Sequence, residues 1–151
     1  MIIKKAQAND ADKLSEIAFQ SKAYWGYSEQ FMESCRAELT STSQELLRAI
    51  SYVAFREETI VGFYLLKHLN ENSIELEQMF VLPKFINLGI GKALFKHAVA
   101  TAQKNGYNEI QIQADPYAQQ FYEKMGATIK GFTPSQSIKN RMLPQMSFLL
   151  K

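Results

Sequence analysis

Cysteine is nearly absent from this sequence of 151 residues, which contains only Cys35. One cysteine cannot form a disulfide within the chain, and it cannot build a cysteine-rich zinc site. Cys35 and either His68 or His97 could form a catalytic pair, but no supporting motif surrounds the cysteine, which lies in an apparent helix. We therefore expect Cys35 to be a small buried apolar residue in a reducing compartment.

Long apolar runs and clustered charge are also absent. No segment approaches the roughly 18 consecutive apolar residues that a membrane span needs, and residues 1–5 become polar too soon for a signal peptide. The 17 Lys and Arg residues nearly balance the 15 Asp and Glu residues, and the two signs are interleaved. Nucleic-acid-binding proteins carry a clustered basic face, so we expect no binding to nucleic acid. The absence of a membrane span and of a signal peptide leads us to expect a cytoplasmic protein that does not bind a membrane.

Apolar residues are plentiful enough for one hydrophobic core. The sequence is 46% hydrophobic, and 12% of its residues are aromatic. A chain of this size buries a sizeable core without disulfides or a structural metal, so we expect a single domain over residues 1–151 and no metal site. The ten Phe and seven Tyr residues must either pack in that core or line a pocket.

The spacing of apolar residues predicts a mixed order of strands and helices. Such an order is typical of an α/β or α+β domain built on one sheet. Residues 40–44 are polar and are expected to form a loop. The predicted strands cover residues 2–6, 52–55, 60–66, 73–82, 108–113 and 146–150, and the predicted helices cover residues 11–21, 28–39, 89–105 and 115–126.

The passage from a predicted strand into a predicted helix is the strongest functional signal. Ile74 and Leu76 alternate with glutamates, as in a half-buried strand, but the alternation fails at Gln78. A one-residue β-bulge near Gln78 would account for the change, and bulges are common beside binding sites. Gly89 and Gly91 then let the backbone approach a ligand at a helix N-terminus, where free N–H groups and the helix dipole favour a phosphate or pyrophosphate.

Other phosphate-binding motifs match this loop less well. A P-loop requires a glycine at position 86 and a hydroxyl residue at position 93, where this sequence has Ile86 and Ala93. A dinucleotide-binding fingerprint requires a third small residue at position 94, which is Leu94. An ATP site is further disfavoured because no carboxylate for Mg²⁺ is evident.

Residues 81–94 resemble the acyl-CoA-binding motif of the GNAT superfamily of N-acyltransferases. In that motif a Gln or Arg is followed by two variable residues, then Gly, a variable residue, and Gly or Ala. Gly89 and Gly91 match this pattern, whereas Ile86 departs from the Gln or Arg. The departure removes one side-chain contact but leaves the backbone N–H groups, which are the main phosphate donors.

A second segment, residues 115–127, is similar to the family's next motif of Asn, Ala, Phe-Tyr and Gly-Phe. Asp115 stands in the usual Asn place, and Ala127 stands in the usual Phe place. The two motifs have the expected separation, and the order of predicted elements matches the family over nearly the whole chain.

The resemblance implies a mixed, mostly antiparallel sheet of six to seven strands with about four flanking helices, in which a bulged fourth strand parts from the fifth. It also implies acetyl-CoA as co-substrate and no metal. Backbone groups of Met79, Phe80 and Val81 would then pair with the pantetheine arm. The pyrophosphate would bind at the loop and helix start formed by Asn87, Leu88, Gly89, Ile90, Gly91 and Lys92.

The family's reaction is direct attack by an amine on the thioester, without an acyl-enzyme. Tyr122 matches the family's acid position, and a phenol with a pKa of about 10 is protonated at neutral pH and can donate to the departing thiolate. Glu77, or Glu75 on the same face of the strand, could accept the amine proton through water. The alternatives are a packing role for Tyr122 and ordinary solvent exposure for both glutamates.

The aromatic residues Tyr24, Trp25 and Tyr27 are the candidates for the acceptor pocket, since large rings with polar tips can enclose a small amine or peptide. Simple packing between two helices is the alternative. Arg141 could contact an acceptor carboxylate or the cofactor, or could be an ordinary solvated charge. The sequence does not identify the small-molecule or peptide amine that would be acetylated, and the last strand could join the sheet of a homodimer or close the core.

A non-catalytic acyl-CoA-binding or interaction module on the same fold is the main alternative to an enzyme. Ile86 and Asp115 favour it because both depart from the family pattern. The absence of an unmistakable general base in the sequence favours it as well.

Overall fold

Seven strands and five α-helices follow one another along the chain, and the computed structural model describes all 151 residues. Three 3₁₀ turns, at residues 8–10, 83–85 and 116–118, each lie between a strand and the helix that follows it. The strands are β1 (Ile2–Lys5), β2 (Ile50–Arg56), β3 (Thr59–His68), β4 (Ser73–Val81), β5 (Glu109–Gln113), β6 (Thr128–Pro134) and β7 (Met142–Leu149), and the helices are α1 (Ala11–Ala23), α2 (Glu29–Leu39), α3 (Ser43–Arg48), α4 (Ile90–Lys104) and α5 (Gln119–Lys124).

The strands form one mixed sheet in the order β1-β2-β3-β4-β5-β7-β6. Only β4 and β5 run parallel, and their pairing covers three residues of each strand before it ends at Glu75 and Gln111. All other neighbouring strands are antiparallel. The mixed, mostly antiparallel sheet implied by the resemblance is therefore confirmed, with seven strands and one more helix than expected.

Strand β4 carries a bulge at Glu77. Leu65 of β3 pairs with Gln78 and Leu66 pairs with Leu76, which leaves Glu77 without a cross-strand partner. Because paired residues lie on the same face, Leu76 packs with Leu66 on one side of the sheet and Gln78 lies with Leu65 on the other. The bulge expected near Gln78 is thus confirmed at the preceding residue, and it explains why the alternation fails there.

Two apolar clusters hold the layers together, one on each face of the sheet. Helices α4 and α5 cover the first face, where Leu94 and Phe95 are fully buried. Helices α1 and α2 cover the second face, where Leu14 and Ile17 are fully buried. Strand β3 is buried on both faces, as its continuous apolar sequence predicts.

Cap residues define where the helices begin. The Ser28 hydroxyl accepts a hydrogen bond from the Phe31 N–H at 3.1 Å, so α2 begins as predicted. Asp10 precedes α1 but its side chain does not cap that helix; its carboxylate accepts from the Gln7 N–H at 2.8 Å, at the start of the preceding 3₁₀ turn. None of the helices has the length and apolar character needed to cross a membrane.

Two elements differ from the sequence-based expectation. Residues 43–48 form helix α3 although residues 40–44 were expected to be a loop, because the Thr42 hydroxyl caps the Glu45 N–H at 3.1 Å. Strand β6 was not predicted, since its sequence includes Gly131 and ends at Pro134, and both residue types are rare inside strands. It lies at the sheet edge, where such residues are tolerated.

The last strand, β7, begins earlier than predicted and lies inside the sheet. It pairs with β5 through residues 145–149 and with β6 through residues 142–147. Residues 145–147 are therefore paired on both edges and close the core of this chain, whereas residues 142–144 pair only with β6 and residues 148–149 pair only with β5.

Candidate functional site

The separation of β4 from β5 creates an opening in the middle of the sheet. Beyond Glu75, β4 continues for six residues without pairing to β5. The backbone N–H and C=O groups on that side of β4 are therefore available to a ligand. Two cavities lie against this opening.

The first cavity, about 500 Å³, follows the end of β4 to the start of α4. Here we call it the cofactor-side cavity. Gly89 precedes α4 with φ +82°, a left-handed conformation that favours glycine, and Asn87 has φ +68°. Since the first N–H groups of an α-helix have no partner within the helix, the N–H groups of Gly91 and its neighbours are available to an anion.

The second cavity, about 250 Å³, lies on the face that carries α1 and α2, and we call it the acceptor-side cavity. Carboxylates outnumber ammonium groups in its wall. Lys67 pairs with Glu77 at 3.9 Å. The charged residues that line it are Lys22, Glu38, Lys67, Glu75, Glu77 and Asp115.

Two of these carboxylates have no cationic partner. Glu38, at the end of α2, accepts a hydrogen bond from the Ser137 hydroxyl, and Glu75 makes no side-chain hydrogen bond. Burial raises the pKa of the Glu75 carboxyl above its ordinary value, the neighbouring Glu77 carboxylate raises it further, and Lys67 lowers it in part. The cavity therefore has an excess of negative charge and one carboxyl group that holds its proton more tightly than usual.

Gln78 adds an unpaired acceptor to the same wall. Its side-chain N–H donates to the Glu38 carbonyl at 3.2 Å, while its Oε1 is buried and has no hydrogen-bond partner. The bulge at Glu77 places Gln78 on this face. A buried oxygen without a partner is costly, and a ligand with N–H donors would satisfy it.

The two cavities share six residues, which we call the junction: Lys22, Met79, Phe80, Asp115, Ala118 and Tyr122. Tyr122 of α5 is 6% exposed, and its hydroxyl makes no hydrogen bond within the protein. The rings of Phe95 and Phe121 contact it edge-on, with centroids 5.7 and 5.2 Å away. Burial raises the pKa of Tyr122 above that of a free phenol, so its hydroxyl is protonated at neutral pH.

Asp115 joins four segments at the junction. Its carboxylate accepts hydrogen bonds from Lys22 of α1 and from the Tyr27 hydroxyl, both at 3.0 Å, and from the Tyr117 N–H at 2.9 Å. Arg141, between β6 and β7, lies 3.5 Å from the same carboxylate and donates to the Tyr27 hydroxyl at 2.6 Å. The Asp115 carboxylate therefore compensates two cations.

The charge state of Asp115 follows from these contacts. Burial opposes ionisation of this carboxyl, but the charge of Lys22 and the hydrogen bonds from Tyr117, Lys22 and Tyr27 outweigh it and lower its pKa below the ordinary value. Burial and the adjacent Asp115 charge raise the pKa of Tyr27, so its hydroxyl remains a donor.

Comparison with known proteins agrees with this geometry. The model of the Acetyltransferase (GNAT) family matches residues 16–127, which is more than half of the chain. The chain belongs to the GNAT acetyltransferase family.

Relatives of this GNAT acetyltransferase act on different amines. A spermidine N(1)-acetyltransferase of Thermoplasma acidophilum is 29% identical over 154 residues, which cover 92% of this chain and 95% of the relative. A 5-NmdU N-acetyltransferase of Pseudomonas phage PaMx11 is 26% identical over 132 residues, covering 87% and 89%. The crystal structure of the PaiA N-acetyltransferase of Thermoplasma acidophilum in complex with coenzyme A shares the fold, with a TM-score of 0.82, 24% identity and 98% of each chain covered.

The GNAT fold gathers most of the residues expected to bind the cofactor at one cavity. Leu88 is exposed and does not line it, whereas Lys92 lines its rim in the first turn of α4. Ile86 also lines the cavity but offers only an apolar side chain. The other expected residues in its wall are Met79, Phe80, Val81, Asn87, Gly89, Ile90 and Gly91.

The three aromatic residues expected at the acceptor lie in different places. Trp25 lines the cofactor-side cavity and stacks on the Tyr117 ring, with centroids 5.3 Å apart and planes 4° apart. Tyr24 is exposed and lines neither cavity. Tyr27 lies outside both walls and donates to the junction residue Asp115.

Four residues of the site received no role from the sequence: Lys22, Glu38, Gln78 and Asp115. Lys22 carried a usable signal, because it follows Leu14 and Ala18 on the buried stripe of α1, where a charged residue needs a partner. Asp115 carried another, since it departs from the family's Asn. Glu38 had no distinguishing signal, because its proximity to Gln78 arises only when α2 packs on the sheet.

Proposed function

We propose that the protein transfers the acetyl group of acetyl-CoA to a primary amine of a small cationic molecule, by direct attack of the amine on the thioester. The observation that carries this proposal is the pair of cavities that meet at Tyr122 beside the opening between β4 and β5. An amine in one cavity and a thioester in the other would come together only at that junction.

The cofactor-side cavity has the features that acetyl-CoA requires. The N-terminus of α4 offers N–H groups to the pyrophosphate, and the unpaired edge of β4 offers backbone groups to the pantetheine amides. The coenzyme A complex of a protein with the same fold supports this assignment. Acetyl-CoA would supply the activated acetyl group, and the residues of this chain would orient it.

Glu75 is the group we assign to accept the proton of the attacking amine, through water. It is half-buried and unpaired, and its raised pKa makes it a stronger base than an ordinary glutamate. Glu77 also lines the cavity, but it is exposed and pairs with Lys67, so we assign it to raising the basicity of Glu75. Tyr122 is the group we assign to donate to the leaving thiolate.

The acceptor-side wall favours a molecule with more than one positive charge. Glu75 can accept a proton from the reacting amine, while Glu38 and the Gln78 Oε1 can bind a second ammonium group some distance along the same molecule. A linear polyamine has such charges, and the relative from Thermoplasma acidophilum acts on spermidine. We therefore place polyamines first among the candidate acceptors.

The proposal is tested by binding and turnover together. Isothermal titration should detect binding of acetyl-CoA, and release of free thiol should follow when spermidine is added. Nonylamine is the matched comparison, because its chain of ten heavy atoms is as long as that of spermidine but carries only one amine. Its kcat/KM should be at least about 10-fold lower, the cost of losing one charged hydrogen bond. Absence of acetyl-CoA binding would contradict the whole proposal, and binding without turnover of any amine would support the non-catalytic module instead.

Glu75→Gln should remove the acidic limb of the pH–rate profile. In the unaltered protein kcat/KM should rise with pH through the raised pKa of Glu75, because only the carboxylate can accept the proton. Glu75→Gln should lower the plateau by about 100-fold and leave a flatter profile, measured as thiol release between pH 5 and pH 9.

The same substitution should not destabilise the fold. A folded-state pKa above the unfolded value means that the ionised carboxylate opposes folding at neutral pH, so removing it should leave the melting temperature at pH 7.5 unchanged or higher. Glu77→Gln is the matched control and should have a smaller effect on rate. Equal effects of the two substitutions would contradict the assignment of Glu75 as the base.

A further inference from the structure

Lys22 is a nearly fully buried cation whose contacts do not use all of its donors. It is 9% exposed and belongs to the junction. An ammonium group has three N–H donors, and one of them is directed at the Asp115 carboxylate at 3.0 Å. Its other close neighbours are the rings of Tyr27 and Phe31, at 5.6 and 6.0 Å from the centroids. Two N–H donors therefore have no hydrogen-bond acceptor within the protein.

We propose that Lys22 donates a hydrogen bond to the carbonyl oxygen of the bound thioester and stabilises the oxyanion formed when the amine attacks. This inference rests on the proposed function, because it needs the thioester at the junction. The amine nitrogen bonds to the carbonyl carbon, the carbonyl electron pair moves to oxygen, and the C–S bond then breaks as that pair returns. Lys22 transfers no proton in these steps and acts only as a donor.

The side chains at the junction offer one donor for each of the two negative charges that develop. Three of the six residues are apolar, and Asp115 can only accept. Tyr122 and Lys22 are the two remaining residues with side-chain hydrogen-bond donors, and they come from different helices. Tyr122 lies on the α5 side and is assigned to the sulfur, whereas Lys22 approaches from α1 and is free for the oxygen. A positive charge in a buried site is an effective stabiliser of an oxyanion.

Asp115 acts as a positioning residue for this cation. Its carboxylate is held by the Tyr117 N–H and by the Tyr27 hydroxyl, so the direction from which it binds Lys22 is fixed. Arg141 supplies a second positive charge 3.5 Å from the same carboxylate, which leaves Lys22 only partly neutralised. The departure from the family's Asn at position 115 and the buried lysine at position 22 are therefore parts of one arrangement.

Lys22→Met tests the role of the charge at nearly constant side-chain volume. It should lower kcat by about 100-fold, as the loss of an oxyanion donor does, whereas Lys22→Arg should retain most of the activity. The second measurement is the infrared frequency of the C=O stretch of acetyl-CoA labelled with ¹³C at the thioester carbonyl, which a purely structural role of Lys22 would not change. Bound to the unaltered protein it should lie at lower frequency than in Lys22→Met, because a hydrogen bond weakens the C=O bond.

Coenzyme A without the acetyl group provides the control for folding and binding. Its Kd, measured by titration, should be the same in both variants and in the unaltered protein, because it has no carbonyl oxygen at the junction. An equal carbonyl frequency in Lys22→Met and the unaltered protein would overturn the inference. If the unaltered protein bound no acetyl-CoA, the proposed function itself would fail, which separates the two outcomes.

Discussion

Tyr122→Phe should lower kcat by about 100-fold or more while the Kd for coenzyme A stays nearly unchanged, the size expected for loss of a hydrogen bond to a developing negative charge. The substitution removes one oxygen atom that makes no hydrogen bond within the protein, so the packing of the ring against Phe95 and Phe121 is retained. Loss of the hydroxyl should matter only when a negative charge develops on the sulfur. The effect should therefore appear in the rate of thiol release and not in cofactor binding.

The raised pKa of Tyr122 defines how the hydroxyl acts. Burial keeps it protonated at neutral pH, but it also makes complete proton transfer to a thiolate, whose conjugate acid has a pKa of about 8.5, unfavourable. We therefore expect the main contribution to be a hydrogen bond to the developing thiolate. Consistent with this, kcat of the unaltered protein should show no basic limb from Tyr122 below pH 10.

Tyr107→Phe is the matched control. It removes a phenol hydroxyl that contacts His68 and lies outside both cavities, so kcat should be unchanged. Should Tyr122→Phe retain the full kcat under conditions where the chemical step limits turnover, the role assigned to Tyr122 would be wrong and packing would be its only function.

Gly91→Asp should raise the Kd for coenzyme A by about 100-fold without destabilising the protein. The new carboxylate would face the pyrophosphate at the N-terminus of α4. Two like charges about 5 Å apart repel by roughly 3 kcal/mol at an effective dielectric of 20, which corresponds to this loss of affinity. The helix itself should gain, because an acidic side chain in its first turn interacts favourably with the dipole.

Gly91→Asn is the matched control, because its side chain is nearly the same size as that of Asp but carries no charge. A Cβ at position 91 would lie 3.5 Å from the Phe121 ring, which is ordinary contact, so neither substitution forces the backbone to move. Titration with coenzyme A and thermal unfolding should show weaker binding for Asp than for Asn, at equal or higher melting temperature. Equal affinity of the two variants would show that the pyrophosphate does not bind at this helix start.

The bulge and the helix start that border the cofactor-side cavity could be predicted because their signals are local in sequence. Gly89 and Gly91 lie two residues apart at a helix start, and the failure of alternation at Gln78 lies on a single strand. Such features need only the periodicity of one element to be recognised. The bulge lies one residue before the predicted position, because a broken alternation does not show which of two neighbouring polar residues lacks a cross-strand partner.

The acceptor-side cavity could not be predicted because its residues come from separate segments. Glu38 meets Gln78 only when α2 packs over β4, and Lys22 meets Asp115 across 93 positions of sequence. Aromatic content suggested Tyr27 as a wall of the pocket, whereas the structure uses its hydroxyl to hold a carboxylate. Composition identifies a side chain but not the group it faces.

The sequence by itself determined the mixed order of strands and helices, the glycine-flanked start of α4 and the polar break in β4, because each depends on neighbouring residues. Only the tertiary structure decided the charge of the acceptor side. A chain with a net charge of +2 contains a cavity in which carboxylates exceed ammonium groups. Net charge is a sum over the whole chain. Recognition depends instead on the few charged groups that the packing of α1, α2 and β4 brings together and removes from water.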